Sequence, residues 1–320
     1  MPPPLIAVTD SVFPSLDPAM AALARLNPEM RMAKSVEAAD ILAVARDADA
    51  VLVTYAKLTP DLIRQLTRCK VIGRFGMGVD NIALQAAAER GIVVTYVPDY
   101  GVREVSDHAM ALILALARKI TLSNKLVQSG RWEMPAVVPL HRLDGRTLGI
   151  VGFGHIGRAL APKAKAFGLN VLTHDPFVAA EQVLALGAEA VGFDALLQRS
   201  DYVSIHAPLT AETRGLFGAA TFAKMKPGAL LINTARGPLV DEPALLAALK
   251  SGQIGGAALD VVATEPLPKE SPLLGHDNLI LSPHTAFYSE EALNELQSKC
   301  AADVARVLSG EPPVYPVKVG

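Results

Sequence analysis

Short runs of β-branched and other apolar residues recur along the chain, each separated from the next by a stretch of helix-like composition. Such alternation is typical of βαβ units, which place parallel strands in a sheet covered by helices on both faces. We therefore predict an α/β fold with two doubly wound parallel sheets. The runs of the first sheet are residues 5–8, 50–53, 71–73 and 92–95, and those of the second are 147–151, 171–173, 202–205, 229–232 and 257–259.

Two longer segments have the apolar spacing of amphipathic helices. In residues 104–127, Ala109, Leu112 and Leu116 follow helical spacing with no internal glycine or proline, so we predict one long helix there. A second helix is predicted from about residue 289 to 308, because Gly310 and a proline-rich tail follow it.

Length and composition favour a two-domain protein that binds a small molecule. The 320 residues exceed the usual size of one compact core. The 30 basic and 32 acidic residues give a net charge of −2 and are spread along the chain, which argues against a nucleic-acid or membrane surface. The first apolar run is too short for a secretory signal, so we expect a cytoplasmic location.

The two cysteines, Cys69 and Cys300, form no Cys-x-x-Cys pattern. A chain of this length does not need a disulfide to hold its core. We therefore predict that both are free, buried thiols, and no metal site is predicted.

A glycine-rich turn follows the first strand of the second series. Gly152, Gly154 and Gly157 match the G-x-G-x-x-G pattern between a buried strand and a helix predicted to begin near His155. In that context the first glycine permits a tight turn, the second lets the backbone approach a pyrophosphate, and the third allows the helix to pack closely on the strand. The sequence therefore predicts a dinucleotide site.

A carboxylate at the end of the next strand favours NAD over NADP. Asp175 lies 18 positions after Gly157, where the ribose hydroxyls of a dinucleotide are expected. A 2′-phosphate would meet this negative charge, and no arginine follows immediately to bind it. His174, beside it, is predicted to be structural.

Polar side chains follow the later strands of the second series. Arg236 has a planar, permanently charged group suited to binding a carboxylate and polarising a carbonyl. Asp260 and Glu265 follow the next strand, and His284 ends the last one. Each alone could be structural. Because the carboxyl ends of parallel strands share one edge, together they supply an acid–base histidine and a carboxylate to orient it, as reduction of a ketone requires.

With these residues in place, the chain resembles the D-isomer-specific 2-hydroxyacid dehydrogenases, a family that includes phosphoglycerate dehydrogenase, hydroxypyruvate and glyoxylate reductases, and the C-terminal-binding proteins. The resemblance covers nearly the whole length and rests on segments in the order of the family. They are GMGVDN at 76–81, GFGHIG at 152–157, PLT at 208–210, MKPGA at 225–229, NTARG at 233–237, Asp260, EP at 265–266 and PH at 283–284.

The resemblance implies an NAD-dependent dehydrogenase that transfers hydride at C2 of a small D-2-hydroxy or 2-keto acid. It implies that Arg236 binds the carboxylate and carbonyl of the substrate, that His284 exchanges the proton and that Glu265 pairs with His284. It also implies that the backbone of Met77 and Gly78 receives the substrate carboxylate.

The same similarity implies further cofactor contacts, a domain layout and a homodimer. A Rossmann cofactor domain, residues 101–287, would be inserted in a flavodoxin-like substrate domain made of residues 1–100 and 288–320. Besides the three glycines and Asp175, the cofactor contacts would be His155 and Ile156 over the pyrophosphate, Ala207, Thr234, Ala235 and Arg236 along the cleft, and Asp260 at the nicotinamide carboxamide.

Some alternatives stay open. The segment Phe287-Tyr288-Ser289 is similar to the C-terminal-binding proteins, so an NAD(H)-sensing scaffold for protein association is the competing hypothesis. The complete set of arginine, glutamate and histidine favours the enzyme, and the glutamate also disfavours formate or phosphite oxidation. The identity of the substrate side chain is not predicted.

Four further residues are given no catalytic role. His108 and His206 match histidines of the family and are predicted to be structural. Tyr55 and Lys57 follow a strand of the first series and could face the cleft. Lys57 could bind a phosphate or a second carboxylate, although an exposed lysine is the simpler interpretation.

Overall fold

The structure is a computed structural model that describes residues 3–318. Within that range, no helix is both long and apolar enough to cross a membrane. The strands are β1 (Leu5–Val8), β2 (Glu29–Met32), β3 (Ala50–Val53), β4 (Val71–Arg74), β5 (Val93–Thr95), β6 (Thr147–Val151), β7 (Asn170–His174), β8 (Glu189–Ala190), β9 (Tyr202–Ile205), β10 (Ala229–Asn233), β11 (Ile254–Leu259) and β12 (Leu279–Leu281).

The helices alternate with the strands through most of the chain. They are α1 (Asp17–Leu23), α2 (Ala38–Ala45), α3 (Pro60–Arg64), α4 (Leu84–Glu89), α5 (Val102–Ala117), α6 (Ile120–Gln128), α7 (His155–Ala166), α8 (Ala180–Ala185), α9 (Phe193–Arg199), α10 (Ala219–Lys224), α11 (Glu242–Ser251) and α12 (Glu290–Leu308). The helix predicted near the C-terminus is therefore confirmed, with the Ser289 side chain capping its first turn.

The first compact unit contains the residues up to 101 and those from 289 onward. Its five strands are all parallel, in the order β2-β1-β3-β4-β5, which is the flavodoxin-like order. Buried residues of α2, α3 and α4 pack on one face of the sheet, and α12 packs against α1 and β4. This confirms the parallel sheet predicted from the first series of runs.

The second compact unit contains residues 102–288. Its seven parallel strands follow the order β12-β11-β10-β9-β6-β7-β8, a Rossmann order extended by one strand. The strand order reverses at β6, the strand that leads into the glycine-rich turn. The second predicted sheet is therefore confirmed as well.

Two edge strands carry no apolar run that could have predicted them. Three of the four residues of β2 are exposed, and so are both residues of β8. Strand β2 forms because its backbone pairs with that of the buried strand β1, and β8 forms because its backbone pairs with that of β7.

The single helix predicted over residues 104–127 is wrong. The chain forms two helices, α5 and α6, separated at Lys119, which adopts left-handed angles of φ 48° and ψ 41°. Helix α5 packs against α7, β10 and β11, whereas α6 buries none of its residues within this chain. Because packing supplies most of the stability of such helices, the straight segment ends where its buried face ends.

Both cysteines are buried and free, as predicted. Their exposed fractions are 9% for Cys69 and 1% for Cys300. Burial, which disfavours the thiolate, raises the pKa of Cys69 to about 12 and raises the pKa of Cys300 further still.

We expect neither thiol to react with 5,5′-dithiobis(2-nitrobenzoate) in the native protein at pH 8, because the thiolate is the reactive form and both pKa values lie well above that pH. In guanidinium chloride both should react at once. Absorbance of the released thiolate measures the two states, and a rapid native reaction at Cys300 would contradict the packing of α12.

Candidate active site

Two of the three glycines in the turn are required by close backbone contacts. Gly152 has a φ of +92°, and a Cβ there would lie 2.6 Å from the carbonyl carbon and oxygen of His206. A Cβ on Gly157 would lie 2.4 Å from the carbonyl oxygen of Gly152. The turn therefore lies so close to the end of β9 and to the first turn of α7 that a side chain at either glycine would displace backbone atoms.

The middle glycine faces open space. A Cβ on Gly154 would meet no atom within 4 Å, and both Gly154 and His155, where α7 begins, are exposed. The N-terminus of α7 presents N–H groups and a favourable dipole to this space, and half-buried Ile156 borders it. The geometry therefore fits the pyrophosphate of a dinucleotide.

Asp175 lies directly after β7 and braces the glycine-rich turn. Its Oδ2 accepts a hydrogen bond from the Phe153 N–H at 2.7 Å, and its Oδ1 accepts one from the Phe177 N–H at 2.9 Å. The carboxylate remains partly exposed beside the turn, which fits a contact with ribose hydroxyls.

The remaining predicted cofactor residues follow β9 and β10. Ala207 and Ala235 are half-buried. The Thr234 side chain is buried, and its hydroxyl has no hydrogen-bond partner among residues 3–318. A buried hydroxyl normally finds a partner, so this one fits a group that the chain itself does not supply.

His206 lies directly after β9 and precedes Ala207. Its Nε2 lies 2.8 Å from Ser204 Oγ, and burial lowers its pKa to about 4. The ring is therefore neutral at physiological pH, and the structural role expected of it stays a prediction. The Nδ1 atom of the ring is buried without a partner among the described residues.

Asn233, which sequence reasoning did not single out, shapes the loop that carries Arg236. Its side-chain amide donates to the Arg236 carbonyl at 2.8 Å, and its side-chain oxygen accepts from the Ala235 N–H at 3.0 Å. A buried polar residue at the end of an otherwise apolar strand was the available signal. Its two bonds set the direction in which the chain leaves β10.

The loop of Arg236 lies directly against the loop of Glu265. A Cβ on Gly237 would lie 2.0 Å from the carbonyl group of Val262, so only glycine permits this approach. The Val262 N–H in turn donates to Glu265 Oε1 at 3.1 Å. The backbone thus brings the two charged residues to one edge of the sheet.

His284 and Glu265 form a close pair. His284 Nδ1 lies 2.7 Å from Glu265 Oε2, and the two side chains are 26% and 34% exposed. Partial burial alone would raise the pKa of Glu265, but the hydrogen bond and charge of His284, the Val262 N–H and the charge of Arg236 together hold it below its usual range. Glu265 is therefore an anion that can only accept, so Nδ1 carries the proton of this bond.

His284 adopts an uncommon backbone conformation. Its φ of +53° lies in the left-handed region, which costs a residue other than glycine about 1–2 kcal/mol. Its N–H donates to the Asp260 carbonyl at 2.8 Å. Such strain persists only where surrounding contacts impose it.

Asp260 is buried beneath this turn. Its side chain has no exposed surface, and it accepts hydrogen bonds from the Ser282 hydroxyl and from the N–H groups of Thr285 and Ala286. The predicted contact between Asp260 and the nicotinamide carboxamide stays a prediction.

Met77 and Gly78 lie in the other compact unit, in the loop after β4. Both are half-buried, and their N–H groups meet no acceptor within residues 3–318. The loop can therefore offer donors to an anion. Tyr55 and Lys57 are exposed residues of the loop after β3, whose backbone is held by the Asp10 carboxylate.

Comparisons with known proteins find a matching family model and similar relatives. Residues 110–286 match the family model described as D-isomer specific 2-hydroxyacid dehydrogenase, NAD binding domain. The chain is 41% identical over 262 residues to D-3-phosphoglycerate dehydrogenase of Archaeoglobus fulgidus, a match that covers 82% of this chain and 50% of that protein. It is 36% identical over 277 residues to glyoxylate reductase of Korarchaeum cryptofilum, covering 85% and 83%.

Solved structures are similar over nearly the whole chain. The TT0316 protein of Thermus thermophilus superposes with a TM-score of 0.89 at 33% identity, covering 98% of this chain and 100% of that one. D-lactate dehydrogenase of Aquifex aeolicus, in complex with NAD and lactic acid, superposes with a TM-score of 0.85 at 29% identity, covering 96% of each chain.

The chain belongs to the D-isomer-specific 2-hydroxyacid dehydrogenase family, a family of oxidoreductases, and contains its NAD-binding domain. The predicted family and the predicted cofactor, NAD, are thereby confirmed. The chain spans about half the length of the phosphoglycerate dehydrogenases that it matches.

The glycine-rich turn gives a direct test of cofactor binding. We expect Gly154→Val to weaken NADH binding about tenfold or more, because the new side chain would occupy the open space at the turn, while the melting temperature stays unchanged. The matched variant Gly157→Val should instead destabilise the fold by about 1–3 kcal/mol through its backbone clash. NADH fluorescence and thermal unfolding measure both, and unaltered binding by Gly154→Val would exclude the turn as the pyrophosphate site.

Proposed function

We propose that this protein is an NAD-dependent D-2-hydroxyacid dehydrogenase that acts as a 2-keto acid reductase. The observation that carries the proposal is the bond of 2.7 Å between His284 and Glu265, beside the loop of Arg236 and in the unit that binds NAD. Relatives that act on 2-hydroxy or 2-keto acids, including a glyoxylate reductase and phosphoglycerate dehydrogenases, support it.

Arg236 anchors and polarises the substrate in this proposal. Its guanidinium binds the carboxylate and the neighbouring carbonyl oxygen of the keto acid, where a planar group with several N–H donors has the right shape. The contact of the Met77 and Gly78 N–H groups with a substrate carboxylate stays a prediction from the family resemblance. As charge develops on the carbonyl oxygen, the positive charge of Arg236 stabilises it.

His284 supplies the proton. NADH, held by the glycine-rich turn and Asp175, would supply the hydride for the new C–H bond at C2. Because Nδ1 of His284 is held by Glu265, Nε2 is the ring nitrogen that gives its proton to the carbonyl oxygen, which becomes the hydroxyl group of the product. The Glu265 anion stabilises the charged imidazole before transfer and sets the direction of the ring.

The domain roles follow from the same proposal. Residues 101–287 are the cofactor domain, and residues 1–100 with 288–320 are the substrate domain. Asp175 contacts the ribose hydroxyls, His155 and Ile156 lie over the pyrophosphate, and Asp260 reaches the carboxamide. Ala207, Thr234 and Ala235 line the rest of the cofactor site.

A panel of keto acids tests the reaction. Purified protein with NADH should reduce at least one of glyoxylate, hydroxypyruvate, pyruvate, phenylpyruvate and 3-phosphohydroxypyruvate. The product should have the D configuration for every keto acid except glyoxylate, whose product, glycolate, has no stereocentre. Loss of NADH absorbance and chiral chromatography provide the readouts. Inactivity on all five, with NADH still bound, would favour the scaffold for protein association instead.

The proton donor is tested by His284→Gln, which should lower kcat about 10²–10⁴-fold because the acid–base group is lost. NADH affinity should stay unchanged, since the substitution leaves the glycine-rich turn intact. His276→Gln, at an exposed histidine of the same unit, is the matched control and should keep wild-type kcat. An equal loss of NADH affinity in His284→Gln would contradict the assignment.

The predicted homodimer is supported by an exposed apolar segment in the second unit. Trp132 is 88% exposed, Met134 is 70% exposed and Val138 is 50% exposed. The preceding helix α6 adds exposed Ile120 and Val127. An apolar surface of this kind, contiguous in sequence, is typical of a protein–protein interface, and we infer that a second copy of the chain covers it.

Sedimentation equilibrium should therefore give twice the 33.7 kDa mass of one chain. The double variant Trp132→Glu/Met134→Glu should be monomeric, because two carboxylates would be buried in the interface. Phe177→Glu, at an aromatic residue 94% exposed elsewhere in the unit, should stay dimeric. A wild-type monomer would refute the inference.

A further inference from the structure

Asp260 holds the polypeptide on both sides of His284. Before the histidine, its Oδ1 accepts a hydrogen bond of 2.6 Å from the Ser282 hydroxyl. After it, Oδ1 accepts from the Thr285 N–H at 3.0 Å and Oδ2 accepts from the Ala286 N–H at 2.9 Å. One buried carboxylate thus links the two arms of the turn whose apex is His284.

The turn depends on this clamp because its conformation is unfavourable. His284 has a φ of +53°, which other contacts must impose. The imidazole direction follows from the backbone angles of this residue, so a change in the turn would move the ring away from Glu265. The orientation of Asp260 therefore controls the orientation of His284.

His108 reaches the same carboxylate from α5. Its Nε2 lies 3.1 Å from Ser282 Oγ and 3.6 Å from Asp260 Oδ1. Ser282 has one hydroxyl proton and donates it to Asp260, so its oxygen can only accept from His108. The His108 Nε2–H therefore donates to Ser282 Oγ, and the Ser282 hydroxyl donates to Asp260. Because the single Ser282 proton is used in the second bond, the first bond can have only this direction.

We propose that His108 and Ser282 are positioning residues for His284, acting through Asp260. His108 holds the Ser282 hydroxyl so that its proton points at Asp260, and Asp260, oriented in this way, holds the turn at residues 284–286. Helix α5 thereby sets the direction of the proton-donating imidazole. This role rests on the proposed function for its catalytic consequence, although the positioning itself does not require the reaction.

The proposal requires the Nε2–H donor of His108 and does not depend on the size of the ring. Without that N–H, the Ser282 hydroxyl can rotate away, and the buried Asp260 loses its shortest bond. The two backbone bonds would remain, so the fold should survive while the turn gains freedom. Loss of the donor and loss of the fold are therefore separable.

Paired substitutions at His108 and Ser282 test this. His108→Met removes the N–H donor but keeps an elongated side chain, whereas His108→Gln keeps an N–H near the position of Nε2. Ser282→Ala and Ser282→Thr form the same pair at the hydroxyl. Asp107→Asn, which breaks the exposed ion pair of the same helix with Lys163, is the control for α5.

The first readout is the proton NMR signal of the His284 Nδ1–H, assigned by its loss in His284→Gln. We expect a low-field signal in the wild-type protein at low temperature, since this proton is hydrogen-bonded to a carboxylate at 2.7 Å. It should broaden or vanish in His108→Met and Ser282→Ala and persist in His108→Gln, Ser282→Thr and Asp107→Asn.

The second readout is steady-state kinetics with whichever keto acid of the panel is reduced. His108→Met and Ser282→Ala should lower kcat about 10- to 100-fold with little change in KM, as expected when a reacting group is misplaced. The conservative variants should recover most of the activity.

The outcomes separate the two proposals. An unchanged His284 signal in both His108→Met and Ser282→Ala would overturn the positioning role, and so would an equal loss in their conservative partners, which would indicate a packing role only. If no keto acid is reduced but the signal follows the donors as expected, the positioning role stands and the proposed reaction fails.

Discussion

Hydrogen bonds between the ends of neighbouring strands hold the candidate active site together. The His206 N–H donates to the Val151 carbonyl, the Asp260 N–H to the Asn233 carbonyl and the Ser282 N–H to the Leu259 carbonyl. Each bond continues the parallel pairing one step beyond the strand. Because parallel strands all end at the same edge, this continuation brings segments far apart in sequence into one rigid row.

Buried polar side chains then fix the conformations of the loops that follow these strands. Asn233 shapes the loop of Arg236, and Asp260 clamps the turn of His284, each with side-chain bonds to backbone. Such groups are costly to bury unless every bond is made, so they impose one arrangement. The position of Glu265 also depends on the backbone, since Gly237 lets its loop approach that of Arg236.

Patterns local in sequence predicted much of the fold and of the site. Buried strands were recognisable as apolar runs. The glycine-rich turn was recognisable because each of its three glycines meets a separate structural requirement. Arg236, Glu265 and His284 became candidate site residues because they follow such strands. The edge strands β2 and β8 could not, because exposed residues form them only when a neighbour is already in place.

The sequence by itself determined the class of fold, the dinucleotide turn and the residue types at the strand ends, because these depend on periodicity and on the conformational range of glycine. Only the tertiary structure decided where the helix after residue 102 breaks, how Asn233 and Asp260 hold their loops, and that His108 reaches Ser282 across 174 positions of sequence. Those features arise from packing and hydrogen bonds between distant segments, which no local pattern records.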